Sequence, residues 1–570
     1  MINRREFLRR SSMVLLTTPF FLTGMAEQSE SNPGCTVEID PTADPYSVFD
    51  LSVASGDPTP QGVILWTHIQ PEARQPDLAL AFEVARDAEF TDLVMSGVVP
   101  ADHVSDNNDF TIKLDLDGHL EANHTYFYRF IYGSVVSRTG RCRTLPEPGV
   151  DLESIEFGVV TCQDFSNGYY GAFSHLAQEE IHFVICLGDF IYESQVTDSQ
   201  FGRNILLPSA GSAALTLADY RYLYRTYRSD RALQAAMERH TWMVIWDDHE
   251  TANDCYWDYL RDTLGAPDHP FTVDPVYGND ANLLRQLRMD AMTAWSEYVP
   301  ARLKINHQAT HPHQFFDIYR SFQFGDLVNL VMTDDRSYRS AHPCGEQTLG
   351  QRYASLGCAE QRDTDRTMLG DTQRDWFLAR MAGSEQIWNL WANQVLLAKL
   401  DLGKLHVNLD AWDGYEFERY QLMTTLKSAG VKNLITLTGD LHAYMAGYMK
   451  IKYERDPFNL VQNNLVGVEL MTPSITSLNV GDALANAGIQ LDTDAFEQAL
   501  VTTSNPYIRY FNANYFGYSL VRFTREECIH TTYSVDKSVP SDEALKQLLI
   551  QIRVPREQIK IEALEINQPV

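Results

Sequence analysis

The chain has 570 residues, more than one hydrophobic core usually serves, since single cores rarely grow past roughly 250–300 residues. Its 44% hydrophobic and 21% charged content is that of a globular protein, but 46 Lys+Arg against 76 Asp+Glu leave a net charge of −30. So acidic a chain repels a phosphate backbone at long range, which excludes a general nucleic-acid-binding module; phosphate could be handled only with positive charge supplied locally, as by metal ions.

The first residues, "INRREFLRRSS", carry Arg4 and Arg5 followed by Phe7-Leu8, then an uncharged, moderately apolar stretch from Met13 to about Ala26. That stretch falls short of the about 20 apolar residues of a membrane helix, and it fits an export signal over residues 1–30. The twin arginines with x-Phe-Leu resemble a Tat signal, an ordinary Sec signal being the alternative. Export through the Tat machinery to a periplasmic or extracellular place is expected, with no transmembrane anchor in the mature protein. Export also invites disulfides among the eight cysteines. Cys344 and Cys358, in one polar loop, could close a small one.

Residues 45–145 read as short alternating strands, among them "GVILWTHI", "DFTIKLDL" and "YFYRFIYG", separated by turn signals such as "GDPTPQG". Period-2 runs at this spacing predict a small all-β, antiparallel sandwich of the immunoglobulin or fibronectin-III kind. "LPEPGVDLES" is a linker. From 155 to 535 strands alternate with helices, which predicts α/β layers: "IEFGVVTC", "HFVICLGDF", "HTWMVIWDDHE" and "NLITLTGDLHA" are strands, and "TLADYRYLYRTYRSDRALQAAMER" is a long helix with Thr216 as N-cap. Its tyrosines read as a core face. A helical tail is expected over 540–570, from "SDEALKQLLIQIRV", and could lie over the pocket.

Chemistry gathers where the strands end. The first ends at Cys162, the second at Asp189 with Tyr192 three residues on, the third at Asp247-Asp248-His249 with Asn253 and Asp254, and the fourth at Asp440 and His442. In α/β folds ligands collect at the carboxyl ends of strands. Taken alone, Cys162 reads equally as a buried thiol, a disulfide half or a metal ligand, and a single Asp after Gly is an ordinary cap. Four such ends in one chain point to a metal site.

The succession GD-x-x-Y, DHE and GDLH is the pattern of dinuclear metallophosphoesterases. "VTCQDFSNGYYGAFSHLAQE", "CLGDFIYE", "WDDHETAND", "TDDRSYRS", "DAWDGYEFERYQ", "LTGDLHA" and "TPSITS" together resemble the alkaline phosphatase D (PhoD) family, as does "SVASGDPTPQGVILWTHI" its N-terminal domain. The resemblance implies a four-layer αββα metallophosphoesterase domain behind the sandwich. It also implies an alkaline phosphatase or phosphodiesterase acting on phosphoester small molecules or polymers. Phospholipase-D-like action on lipid or wall polymers is one alternative, and a non-catalytic secreted binding protein is another.

The implied ligands are Cys162, Asp189, Tyr192 and His442 for ferric iron, since thiolate, phenolate and imidazole suit a transition metal. Asp189, Asp248 and Asp440 would hold calcium, which takes oxygen ligands, and Asn253 would help a further calcium. Asp189 is the expected bridge. His249 is the expected catalytic imidazole. Arg336 is either a phosphate contact or a structural salt bridge.

Overall fold

A computed structural model describes residues 39–453, 463–482 and 493–566; the signal expected over 1–30 lies outside them. The first strands are β1 (Val53–Thr59), β2 (Gly62–His68), β3 (Leu80–Ala85), β4 (Leu93–Val99), β5 (Thr111–Asp115), β6 (Thr125–Tyr132), β7 (Val135–Val136) and β8 (Gly140–Arg143). β3, β4, β6, β7 and β8 form one antiparallel sheet, and β1, β2 and β5 lie against it. Alternating residues of both, such as Leu65, Ile112, Phe82 and Phe130, fill a shared core. The seam with the rest of the chain is not a linker alone. β1 pairs in parallel with a later strand, Ser55 beside Thr241 and Gly56 beside Trp242, so one sheet runs across the expected boundary.

β9 (Ser154–Val160), β10 (Phe183–Cys186) and β11 (Thr241–Val244) are parallel neighbours, short and apolar because both of their faces are covered. Between them stand α1 (Gly171–Leu176), α2 (Leu217–Arg228) and α3 (Arg231–Arg239). The expected long helix is therefore two. Thr216 caps α2 in a reciprocal box with Asp219, as expected, but Asp230 accepts from the backbone N–H groups of Ala232 and Leu233 and starts a new helix. Tyr220, Tyr224 and Tyr227 are buried, and two of them also serve the loops above: Tyr220 donates to the Thr251 carbonyl at 2.6 Å, and Tyr227 oxygen accepts from Tyr192 N–H at 3.0 Å.

A hairpin of β12 (Tyr256–Asp258) and β13 (Thr263–Gly265) precedes α4 (Ala281–Tyr298). The second large sheet is then built from β14 (Arg320–Phe324), β15 (Val328–Met332), β16 (Trp388–Ala392), β19 (Leu434–Thr438), β20 (Tyr444–Lys450), β21 (Leu465–Met471) and β22 (Ile508–Asn512), with a ribbon of β17 (Asp401–Leu402) and β18 (Leu405–His406) beside it. Helix α5 (Asp371–Ala382) packs on β15, and α6 (Glu416–Ser428) packs on β21. β23 (Gly517–Thr524), β24 (Glu527–Val535), β25 (Lys546–Pro555) and β26 (Glu562–Ile566) return to the first sheet, whose order among the described residues is β26-β25-β24-β23-β9-β10-β11-β1-β2-β5. The two mixed sheets meet through aromatic rings: Phe157 stands edge-on to Phe324 at 5.0 Å, and Trp388 packs on Phe523 at 5.6 Å.

The expected C-terminal helix is a strand. In "KQLLIQIRVP", Ile550, Ile552 and Val554 face inward and Gln551 and Arg553 outward, and Gln551 lies opposite Thr531 of β24. Pairing with a waiting edge outweighs helix propensity here. Cys344 and Cys358 form the expected disulfide, whereas Cys162 is a free buried thiol. Among the described residues no helix is long and apolar enough to cross a membrane.

Candidate metal centre

The strand ends turn sharply. Cys162, Asp189, Asp440 and His442 all hold left-handed backbone, with φ of 56°, 56°, 62° and 54°. Such angles are uncommon outside glycine and concentrate at functional sites. The glycines before the two aspartates let neighbouring loops touch. A Cβ on Gly188 would come within 2.5 Å of Asp247, and one on Gly439 within 2.5 Å of Thr161 Oγ1. The Gly-Asp pairs of the sequence thus let four strand ends approach in two pairs, β10 with β11 and β9 with β19.

Three overlapping groups result. Potential ligand atoms of Cys162, Asp189 and His442 all lie within 4.8 Å of one another; so do those of Asp189, Asp248 and His249, and those of Asp247, Asp248 and Asp440. Asp189 belongs to the first two groups and Asp248 to the last two. The Tyr192 hydroxyl joins the first, donating to Asp189 Oδ2 at 3.0 Å and lying 3.3 Å from His442 Nε2. His442 donates from Nδ1 to the Leu478 carbonyl at 2.6 Å, which leaves the Nε2 lone pair facing the group. Ser477 Oγ, 2.6 Å from the Tyr192 oxygen and 2.9 Å from the Cys162 carbonyl, ties these residues together. Cys162, Asp189, Asp247 and Asp248 form a buried floor, while Tyr192, His249, Asp440 and His442 are half-buried at its mouth.

Burial pushes Cys162 and Tyr192 well up, and the neighbouring Asp189 adds to both shifts. Asp189 and Asp440 are also raised well above the usual carboxylate range, by burial and then by the surrounding aspartates. Burial lowers His442 to about 4. Burial opposes a charge on His249 too, but Glu193, Asp248 and Asp189 outweigh it and favour the imidazolium. Asp189 Oδ1 and Asp247 Oδ2 are buried without a hydrogen-bond partner. A floor of acids short of positive charge, with orphaned carboxylate oxygens and lone pairs converging, is a donor set that fits metal ions.

Arg336 resolves toward its second reading. It is fully buried, with Nε on Asp247, Nη1 on Asp410 at 2.6 Å and Nη2 on Asp440 at 3.0 Å. All three of its nitrogens are engaged by carboxylates under the clusters, the arrangement of an internal counter-charge. Asn253 donates from its side-chain Nδ2 to Asp268 at 3.1 Å and from its backbone N–H to Glu193 at 2.8 Å, bonds that do not use the amide oxygen.

Several supporting residues have roles that the motifs alone do not disclose. Glu193 holds His249 Nδ1 at 2.7 Å, and the ring of His249 packs on Tyr192 with centroids 4.0 Å apart. Glu250 accepts backbone N–H from Asp189, Phe190 and Asp247, fastening two strand ends together. Asn408 donates to Asp440 at 3.3 Å, and Asp410 pairs with Arg336, Arg339 and His342. Glu193 and Glu250 lie within the quoted stretches "CLGDFIYE" and "WDDHETAND", which mark their positions but not these roles.

Mixed sheets thus bring acids, imidazoles, a thiol and a phenol together at their strand ends, a donor set for metal ions. Residues 157–532 match the family model described as PhoD-like phosphatase, and residues 35–146 match its N-terminal domain. Alkaline phosphatase D of Bacillus subtilis (strain 168) is 32% identical over 486 residues, covering 82% of this chain and 74% of that relative. A solved structure titled "Structure of PhoD" superposes with a TM-score of 0.77 at 28% identity, covering 92% of this chain and 93% of the other. The chain belongs to the PhoD-like phosphatase family.

Proposed function

We propose that this protein is an exported, metal-dependent phosphoesterase that cleaves phosphomonoesters or phosphodiesters by attack of water. The observation that carries the reading is the set of overlapping clusters sharing Asp189 and Asp248, in which buried acids have too few cations to balance them. Cys162, Tyr192, His442 and Asp189 would hold ferric iron, because thiolate and phenolate favour a highly charged transition metal. Asp248 and Asp440, sharing Asp189, offer only oxygens and suit calcium, with Asp247 beside them. When bound, the ions supply Lewis-acid polarisation of the phosphoryl group and a water of lowered pKa.

The chain's own residues do the remainder. Glu193 fixes the His249 ring through Nδ1 and leaves Nε2 for the substrate. A protonated imidazole there donates to a phosphoryl oxygen or to the leaving oxygen, a contribution of about 100- to 10,000-fold when well positioned. Tyr192 braces the other face of that ring. Arg336 offsets part of the floor's negative charge from below. Export is supported by the twin arginines at Arg4 and Arg5 and by the Cys344–Cys358 disulfide, which suits an oxidising compartment.

The test is hydrolysis of p-nitrophenyl phosphate and bis(p-nitrophenyl) phosphate by protein as isolated, stripped with chelator, and reloaded with iron and calcium. Activity should vanish on stripping and return on reloading, and the ratio of the two rates assigns mono- or diester preference. Full activity after complete stripping would contradict the proposal.

A further inference from the structure

The disulfide between Cys344 and Cys358 closes a loop that carries the short helix Leu349–Tyr353. Two adjacent side chains of that helix grip one buried carboxylate: Tyr353 donates its hydroxyl to Asp254 Oδ1, and Arg352 Nε lies 2.7 Å from Asp254 Oδ2. Asp254 in turn gives its backbone N–H to Asp248 Oδ2 at 2.5 Å, from a left-handed φ of 55°. The Arg352 carbonyl also accepts from Leu409 N–H at 2.7 Å, next to the Asn408 that donates to Asp440. The loop thus backs both Asp248 and Asp440. Among the described residues its hydrogen bonds reach none of Cys162, Tyr192 and His442, which are tied instead by Thr161, Ser477 and Leu478.

We propose that this disulfide-closed loop is the positioning element of the second metal site alone. With the cross-link in place, the helix has few alternatives to the arrangement in which Arg352 and Tyr353 hold Asp254, and Asp254 holds Asp248. Without it, Asp248 and Asp440 lose their backing while the first half of the centre stays assembled. Outer residues that orient metal ligands typically contribute about 10- to 100-fold in affinity or activity. The inference rests on the metal-centre reading above and adds to it which residues set the affinity of one half.

The experiment compares the full chain with a Cys344→Ser/Cys358→Ser double variant and with Tyr353→Phe, which keeps the disulfide. The second site is emptied with chelator and refilled with calcium in a calorimetric titration, while iron content and visible absorption report the first site. The account expects calcium affinity to fall about 10- to 100-fold in the double variant, with iron and colour unchanged. Tyr353→Phe should shift affinity in the same direction by less. Unchanged calcium affinity in both variants overturns the proposal, and so does a parallel loss of iron and calcium, which would make the loop a general staple. Wild-type protein that binds neither ion overturns the metal-centre reading and this inference with it, a result distinguishable from both.

Discussion

The two halves of the centre solve one problem, burying ligands, in different ways. Around Cys162, Tyr192 and His442 the hydrogen-bond partners are a threonine and a serine hydroxyl and a backbone carbonyl, with the shared Asp189 as the one carboxylate, accepting from Tyr192. Around Asp247, Asp248 and Asp440 the chain threads a buried arginine and a relay of supporting acids. Proton affinity explains the difference. A thiol and a phenol are neutral in water near pH 7, so burying them costs little until a metal displaces their protons. Carboxylates arrive charged, and burying them demands a counter-charge at all times. Cys162 and Tyr192 are pushed up by burial, and in the acid-rich half burial also raises Asp247 and Asp440, whereas Asp248 and Asp410 are held low, against the effect of burial, chiefly by Arg336.

Asp189 is the point at which breaking one half should break the other. Asp189→Asn should cost activity beyond the roughly 100-fold typical of supporting residues, with loss of both ions in elemental analysis. Retention of either ion at wild-type affinity would show that the halves do not share it. The next largest effect belongs to the acid-rich half. Arg336→Met leaves Asp247, Asp410 and Asp440 without their shared partner, and the metal-free protein should lose about 3–5 kcal/mol in urea unfolding. Metal should recover part of that loss, because bound ions supply the missing charge. A loss equal with and without metal would assign Arg336 to packing. Smaller still, Glu193→Gln keeps an acceptor for His249 but removes its charge. We expect kcat to fall about 10- to 100-fold with little change in KM, and no further fall when His249→Ala is already present. Additive losses in that cycle would separate Glu193 from His249.

How much of this the sequence disclosed follows from how local each feature is. The strand-ending residues were legible because an apolar run and a polar residue at its end sit within one short window, and Gly188-Asp189 and Gly439-Asp440 carry their turn in the same two letters. Arg336 was legible as an arginine beside acids, but its three partners lie 74 to 104 residues away, so its role needed the fold. Glu250 accepts backbone N–H groups of other residues and Asp254 donates its own, roles that the letters of the motif do not state. The C-terminal strand is not legible from sequence because "ALKQLLIQIRV" fits both periods, and only the waiting edge of β24 decides between them.

The chemical asymmetry of the two halves is the central claim, and metal analysis with a visible spectrum of protein folded in an iron-sufficient cell tests it most directly. The account predicts one tightly held iron per chain with a tyrosinate charge-transfer band that Tyr192→Phe abolishes, together with calcium that chelators remove first. A colourless, fully active protein holding zinc alone would contradict it.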